Sequence, residues 1–486
     1  MASSTIKKTK REPHKFLVGG QWRDSQETLE IRNPYNGEIV GTTYRPSEED
    51  IEDAVKASVK ALEATCSLHT YKRSEFLSTI QRGIIQRKEE LARIITLEVG
   101  KPISDSRVEV ERAIEVFRLA SEETRRIGGE IIPLDLVEGA KGRLAITRRF
   151  PIGPILGITP FNFPLNLVCH KLAPALAAGN TIIIKPASAA PLTALLLAEI
   201  VTASGLPEGA LSILPCSSNL AEKMVKDDRL KMLTFTGSTS VGWHLKGIAG
   251  KKKVTLEMGG NAGTIIDKDS DIEYAARRCT YGGYVYSGQS CISLQRIYVH
   301  EEVYEPFLSM LTAHVKGLKM GNPLEEDTRI GPLIAPEAGK RLEAWIKEAV
   351  SQGAKALVGG RLQGNFLEPT ILVDTSPEMR VNCEEAFGPL VTVSRFSSFE
   401  KALEEINRSR YGLQTSVFTQ DINKVFLAYR TLEVGSVIIN DVPTFRADHM
   451  PYGGVKDSGM NREGIKYAIE EMTEPRLLVL NLRESL

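Results

Sequence analysis

The chain has 486 residues, 42% of them apolar and 25% charged, too many for one hydrophobic core, so two or three domains are expected. Lys plus Arg and Asp plus Glu each number 61, and this balance argues against a nucleic-acid footprint or attraction to an anionic membrane. No apolar run reaches transmembrane length, and the six scattered cysteines form no CxxC pair, which argues against a disulfide framework or a zinc site. The polar N-terminus lacks a secretory segment, so a cytoplasmic protein is expected, with Lys7 to Lys15 as a frayed basic tail. His170, His244 and His449 do not cluster with the cysteines, and no metal site is expected.

Residues 16–45 read as short strands and turns. Ser47-Glu48-Glu49-Asp50 resembles a capping box that opens a helix through Ala64. Two longer helical patterns run from about Tyr71 to Glu98 and from about Ser104 to Ile127, each stopped by glycine. Leu144 to Phe150 alternates as a strand and interrupts its helical surroundings, which suggests a protruding ribbon used for assembly. From 153 to 257, strand-like runs at Ile155–Thr159, Thr181–Lys185, Leu211–Leu214, Met232–Phe235 and Val254–Glu257 alternate with helical stretches. That alternation predicts a doubly wound parallel sheet with its ligand beyond the carboxyl ends of the strands. A second α/β series follows from 263 to about 440, with strands expected at Gly263–Ile266, Leu294–Val299, Val391–Phe396 and Gly435–Ile439. Arg476 to Leu482 reads as one more strand, suited to pair with the 144–150 ribbon.

The expected fold class is therefore α/β, with two doubly wound domains and a small β ribbon. Residues 1–130 and 150–257 are assigned to a dinucleotide-binding domain and 258–455 to a catalytic domain. Residues 131–149 and 474–486 are assigned to an oligomerisation ribbon, and 456–473 to a helix returning to the cofactor domain.

Two strand ends carry candidate chemistry. Gly288-Gln289-Ser290-Cys291 sets a single cysteine after a glycine bend, and Leu256-Glu257-Met258-Gly259-Gly260 ends a strand in a carboxylate beside flexible backbone. A thiol and a nearby carboxylate suit nucleophilic attack followed by base-assisted hydrolysis, although a buried Cys or a solvated Glu is the ordinary alternative. Gly237 and Ser238 follow a strand and open a helix, where they can cradle a phosphate or simply cap the helix. The GxGxxG fingerprint is absent, so any dinucleotide site is of another kind. Lys185 ends a strand and suits a ribose or phosphate, or it is a surface lysine. Asn162, in the proline-bracketed Thr159-Pro160-Phe161-Asn162-Phe163-Pro164, suits an oxyanion donor or an Asx turn. Glu385 and Phe387 suit a ribose and a ring, or form a loop with a buried Phe.

In this order, and extending to Pro451-Tyr452-Gly453-Gly454-Val455-Lys456, these pieces resemble the aldehyde dehydrogenase superfamily of the NAD(P)-dependent hydrolytic type across essentially the whole chain. The resemblance implies Cys291 as nucleophile, Glu257 as general base, and Asn162 with the Cys291 N–H as oxyanion hole. It implies Lys185 and Ser188 at the adenine ribose, Gly237 and Ser238 at the pyrophosphate, Glu385 at the nicotinamide ribose and Phe387 beside the ring. Thr159, Pro160 and Phe161 would line the cofactor cleft. Ser188 stands where many NAD-preferring relatives carry a glutamate, so NADP acceptance is expected.

The segment around Arg446 resembles the branch containing lactaldehyde, phosphonoacetaldehyde and non-phosphorylating glyceraldehyde-3-phosphate enzymes. Arg107 and Arg446 fall where relatives line the substrate funnel, which suits an aldehyde with an anionic or hydroxylated tail. Arg107 paired with Glu111 on a helix surface is the plainer alternative. Ser290 and Phe163 depart from the phosphonate-type pattern. A coenzyme A-acylating enzyme is disfavoured by Glu257, and a silent structural relative by retention of Cys291, Glu257 and Asn162. The family forms homodimers and homotetramers.

Overall fold

The computed structural model describes residues 12–482. Lys7 to Arg11 of the basic run and residues 483–486 of the expected ribbon lie outside the described residues.

Two sheets carry the architecture. The first has the strand order Gln21–Arg23, Phe16–Val18, Leu211–Ile213, Ile182–Lys185, Ile155–Ile158, Met232–Thr236, Lys253–Glu257, Gly459–Met460. Its inner strands are parallel and read as near-continuous Ile, Leu and Val because helices cover both faces. The helix Asn166–Ala178 is buried along its whole length, so it shows no polar stripe. The second sheet runs Lys355–Val358, Thr370–Val373, Leu390–Phe396, Leu294–His300, Ala262–Ile266, Gln414–Phe418, Ser436–Ile439, parallel except for its first pair. Glu257 is the last residue of its strand, and four residues carry the chain from it into the second sheet at Ala262. The carboxyl ends of the first sheet therefore open toward the second.

A three-stranded sheet stands apart, ordered Thr473–Asn481, Arg143–Pro151, Ile131–Pro133. Its central pairing is antiparallel over nine positions, from Thr473↔Pro151 to Asn481↔Arg143. Before it, the helix Ile465–Glu471 packs on Asn166–Ala178 and on Ile103–Thr124.

The helix expected from Tyr71 to Glu98 is two helices, Thr70–Gln86 and Lys88–Val99. Arg87, at φ −108°, makes the break, and its guanidinium ties Glu90 to Glu199 of another helix. The capping box at Ser47 is present, closed by Asp50.

Candidate active site

Cys291 is delivered by a strained turn. The helix Ile272–Tyr284 ends in a short 3-10 turn, Val285–Gly288, in which Tyr286 and Ser287 both hold positive φ (49° and 54°). Surrounding contacts over-determine that conformation. The Tyr286 amide donates to Asp105 at 3.2 Å, the Ser287 hydroxyl donates to the Gly331 carbonyl at 2.9 Å, and Gln289 Oε1 accepts from Ile334 at 2.9 Å. The turn sets Cys291 on the wall of a cavity of about 230 Å³, shared with Arg112, Phe163, Arg278, Tyr281 and Arg446. The Cys291 Sγ lies 3.2 Å from the Tyr452 hydroxyl. Burial pushes the thiol up to about 11, against the lowering effect of the Tyr452 hydrogen bond and the Arg446 cation.

Two polar groups converge on the same region. Asn162, on the turn after the strand Ile155–Ile158, donates one amide N–H to the Gln289 carbonyl at 3.1 Å, two residues before the cysteine. An amide has two such donors, so the second remains for a ligand. Both carboxylate oxygens of buried Glu257 lack a hydrogen-bond partner. Burial, reinforced by Glu463, raises its carboxyl well above the usual range, which suits a base. A methyl on Gly453 would lie 2.6 Å from Glu257 Oε1, so the backbone here leaves room only for glycine.

Behind the cavity runs a buried chain of alternating charge. Lys171 donates to Glu463 at 3.0 Å and Arg446 donates to the other oxygen of Glu463 at 3.3 Å. Arg446 Nη2 lies 3.4 Å from His170 Nε2, which sits 2.8 Å from Asp448. Asp448 in turn takes the Arg112 guanidinium on both oxygens, at 2.7 and 3.2 Å. Burial would push Glu463 up, yet Lys171, Arg446 and His170 hold it down to about 2. Asp448 is likewise held below the usual carboxylate range by His170 and Arg112, against burial.

Further polar groups stand at the carboxyl ends of the first sheet's strands. The Thr159 amide donates to the Lys185 carbonyl at 3.1 Å, joining the ends of two strands, and Lys185 is half-buried with exposed Ser188 beyond it. Ser238 caps the helix Thr239–Ile248 without bonding its own backbone, and the hydroxyls of Thr159 and Thr239 are buried without partners. A helix N-terminus without a side-chain capping bond, beside unpaired hydroxyl donors, fits the phosphates of a dinucleotide. Glu385 accepts from the Gly260 amide at 3.1 Å, and burial raises its carboxyl to about 7. Phe387 meets Phe161 edge-on, with ring centres 6.0 Å apart, and Phe161 follows Thr159 and Pro160 on the same turn.

This arrangement agrees with what the chain resembles among known proteins. The model of the aldehyde dehydrogenase family matches residues 22–478. The chain belongs to the aldehyde dehydrogenase family. It is 43% identical to the 3-sulfolactaldehyde dehydrogenase of Priestia aryabhattai over 475 residues, covering 98% of this chain and 99% of that protein. Among solved structures it matches aldehyde dehydrogenase 21 from Physcomitrella patens, in complex with the reaction product succinate, with TM-score 0.96, 45% identity, and 98% and 100% of the two chains covered. It also matches glyceraldehyde-3-phosphate dehydrogenase GapN from Methanocaldococcus jannaschii, complexed with NADP, with TM-score 0.90, 38% identity, and 94% and 99% covered. The protein is an NAD(P)-dependent aldehyde dehydrogenase. Among the described residues no helix is long and apolar enough to cross a membrane, and no group of three or more His, Cys, Asp or Glu could hold a metal ion.

For this dehydrogenase the expected funnel pair needs one correction. Arg446 lines the cavity, but Arg107 does not; it forms ion pairs with Glu89 at 3.0 Å and Glu326 at 2.7 Å on the outer surface. Asp105, Val108, Glu109 and Arg112 share one face of Ile103–Thr124, and residue 107 falls nearly opposite it. The Glu111 partner expected for Arg107 pairs with Lys88 instead. Arg112 and Tyr452 on the cavity wall, and Asp448 and His170 behind it, are site groups that the sequence did not single out. Helical spacing from Val108 was the available signal for Arg112. The others become neighbours only through the fold.

Proposed function

We propose that Cys291 is the nucleophile that oxidises a short aldehyde with an anionic far end to its carboxylic acid, and that Arg112 and Arg446 hold that anion. The carrying observation is that both guanidinium groups line the one cavity that contains the Cys291 sulfur. The thiolate attacks the carbonyl carbon and forms a thiohemiacetal. The second Asn162 N–H and the Cys291 amide meet the oxyanion, and one such donor is typically worth about 2.7–4 kcal/mol. The chemistry that a nicotinamide dinucleotide supplies when bound is acceptance of the hydride, leaving a thioester on Cys291. Glu257, ionised, takes a proton from the attacking water, and the acid leaves as the thiol is restored. A base at Glu257 favours hydrolysis over acyl transfer to coenzyme A.

Lys185, Ser188, Gly237, Ser238, Glu385, Phe387, Thr159, Pro160 and Phe161 are proposed to hold the cofactor, with NADP accepted well because no carboxylate at 188 repels a 2′-phosphate. The six unpaired cysteines support work in the reducing cytoplasm. Assembly as a homodimer or homotetramer is supported by the ribbon strand Thr473–Asn481, where Leu477, Leu478 and Val479 are exposed.

The test is an initial-rate comparison, with NADP and NAD, of succinic semialdehyde, lactaldehyde, glyceraldehyde 3-phosphate and an uncharged alkanal, beside Cys291→Ser. Faster turnover of the anionic aldehydes, lost in the variant, is expected. A preference for the alkanal would remove the roles of Arg112 and Arg446, and activity in Cys291→Ser would remove the nucleophile.

A further inference from the structure

We infer that Tyr452 is a catalytic residue: its phenol hydroxyl donates a hydrogen bond to the Cys291 thiolate, with the Arg446 guanidinium stacked on its ring as a cationic brace. The inference rests on Cys291 being the nucleophile.

Tyr452 is 2% exposed, and its side chain packs in an apolar cluster with Ile292, Leu413 and Met450. Its backbone is fixed by paired hydrogen bonds with Glu463, 3.1 and 2.7 Å. The ring is thereby aimed, and its hydroxyl ends 3.2 Å from Cys291 Sγ. A buried phenol normally finds a full hydrogen-bond partner. Here the partner is sulfur, which accepts weakly as a thiol and strongly as a thiolate. Ionisation of Cys291, its proton passing to solvent, therefore completes the bonding of Tyr452. The hydroxyl then has one orientation, donating to sulfur.

Arg446 strengthens this. Its guanidinium carbon lies 3.7 Å from the Tyr452 ring centre, and the cation draws density from the phenol and makes it a better donor. The charged groups facing Cys291 divide cleanly: Arg446 and Tyr452 favour the thiolate, whereas Glu257, Glu385 and burial oppose it. The phenol and its stacked arginine are thus the groups that offset burial and favour the thiolate at this site.

Tyr452→Phe keeps the ring, the cluster and the backbone bonds, and removes only the donor. Loss of one charge-assisted hydrogen bond raises the thiol by about one unit, cutting the thiolate about tenfold and raising its intrinsic reactivity about threefold. Alkylation of Cys291 by iodoacetamide, followed by peptide mass spectrometry between neutral and moderately alkaline pH, is expected to slow about threefold at each pH. The kcat/KM for aldehyde is expected to fall with it. Fluorotyrosine placed at 452 keeps the shape and sharpens the donor, and it is expected to speed alkylation. Unchanged alkylation in both variants, with Cys291→Ser inactive, would overturn the role of Tyr452 and leave the nucleophile standing. Aldehyde oxidation by Cys291→Ser would remove both.

Discussion

Asp448 grips Arg112 through both carboxylate oxygens, at 2.7 and 3.2 Å, and turns the guanidinium along the wall of the cavity that contains Cys291. A surface arginine would wander, whereas this one is fixed by a carboxylate that also holds His170. The fork is planar and pre-set, which suits a carboxylate or sulfonate rather than a hydroxyl. Arg112→Gln is expected to raise KM for succinic semialdehyde about tenfold to a hundredfold while leaving an uncharged alkanal unchanged. Arg107→Ala, which breaks only an exposed pairing, is expected to change neither substrate. Equal effects on both aldehydes would contradict the assignment of Arg112.

In the proposed mechanism Cys291 and Glu257 both act ionised, and burial disfavours the ionised form of each. The sign is therefore the same for both: activity is lost as pH falls and gained as it rises toward their raised pKa values. In the free enzyme kcat/KM is expected to climb from neutral into alkaline pH, with a slope of about one logarithmic unit per pH unit if a single ionisation dominates. An optimum at mildly acid pH, measured by initial rates in buffers of constant ionic strength, would contradict this.

Gly259 touches the Glu385 carboxylate so closely that an added methyl would lie 2.1 Å from Oε2. Gly259→Ala must push Glu385 off its bond to the Gly260 amide. The expected result is an increase of about tenfold in KM for NADP, the loss of one well-made hydrogen bond to a charged partner. Gly247→Ala, where nothing lies within 4 Å of the new methyl, is the control and is expected to leave KM unchanged.

Leu477 and Val479 lie on one face of the strand Thr473–Asn481, and both are exposed. If the enzyme assembles through this strand as proposed, lysine at both positions is expected to dissociate it to a monomer in sedimentation velocity. An unaltered sedimentation coefficient would contradict assembly through this strand.

Much of this is legible in the sequence. The strands Ile155–Ile158 and Ile182–Lys185 are read easily because burial on both faces makes them nearly continuous apolar runs. Gln414–Phe418, next to the edge strand of the second sheet, is not legible in the sequence, because its inner positions are polar groups satisfied only in three dimensions. Gln414 donates to the carbonyls of Pro443 and Phe445, Thr415 donates to Gly263, and Ser416 shares a hydrogen bond with Thr264. The site divides in the same way. Cys291, Glu257 and Asn162 stand in short motifs beside glycine and proline, whereas the chain from Arg112 through Asp448 and His170 to Arg446 and Glu463 joins residues up to 336 positions apart. Arg107 misled because helix position, and not charge, decides what faces a cavity.

The proposed mechanism turns on a covalent acyl intermediate on Cys291 that Glu257 helps water to clear. Rapid quenching of Glu257→Gln protein during turnover of succinic semialdehyde with NADP, followed by peptide mass spectrometry, tests it directly. A burst of reduced cofactor near one equivalent per site and a succinyl thioester on the Cys291 peptide are expected. Oxidation of the aldehyde with Cys291 unmodified throughout would contradict it.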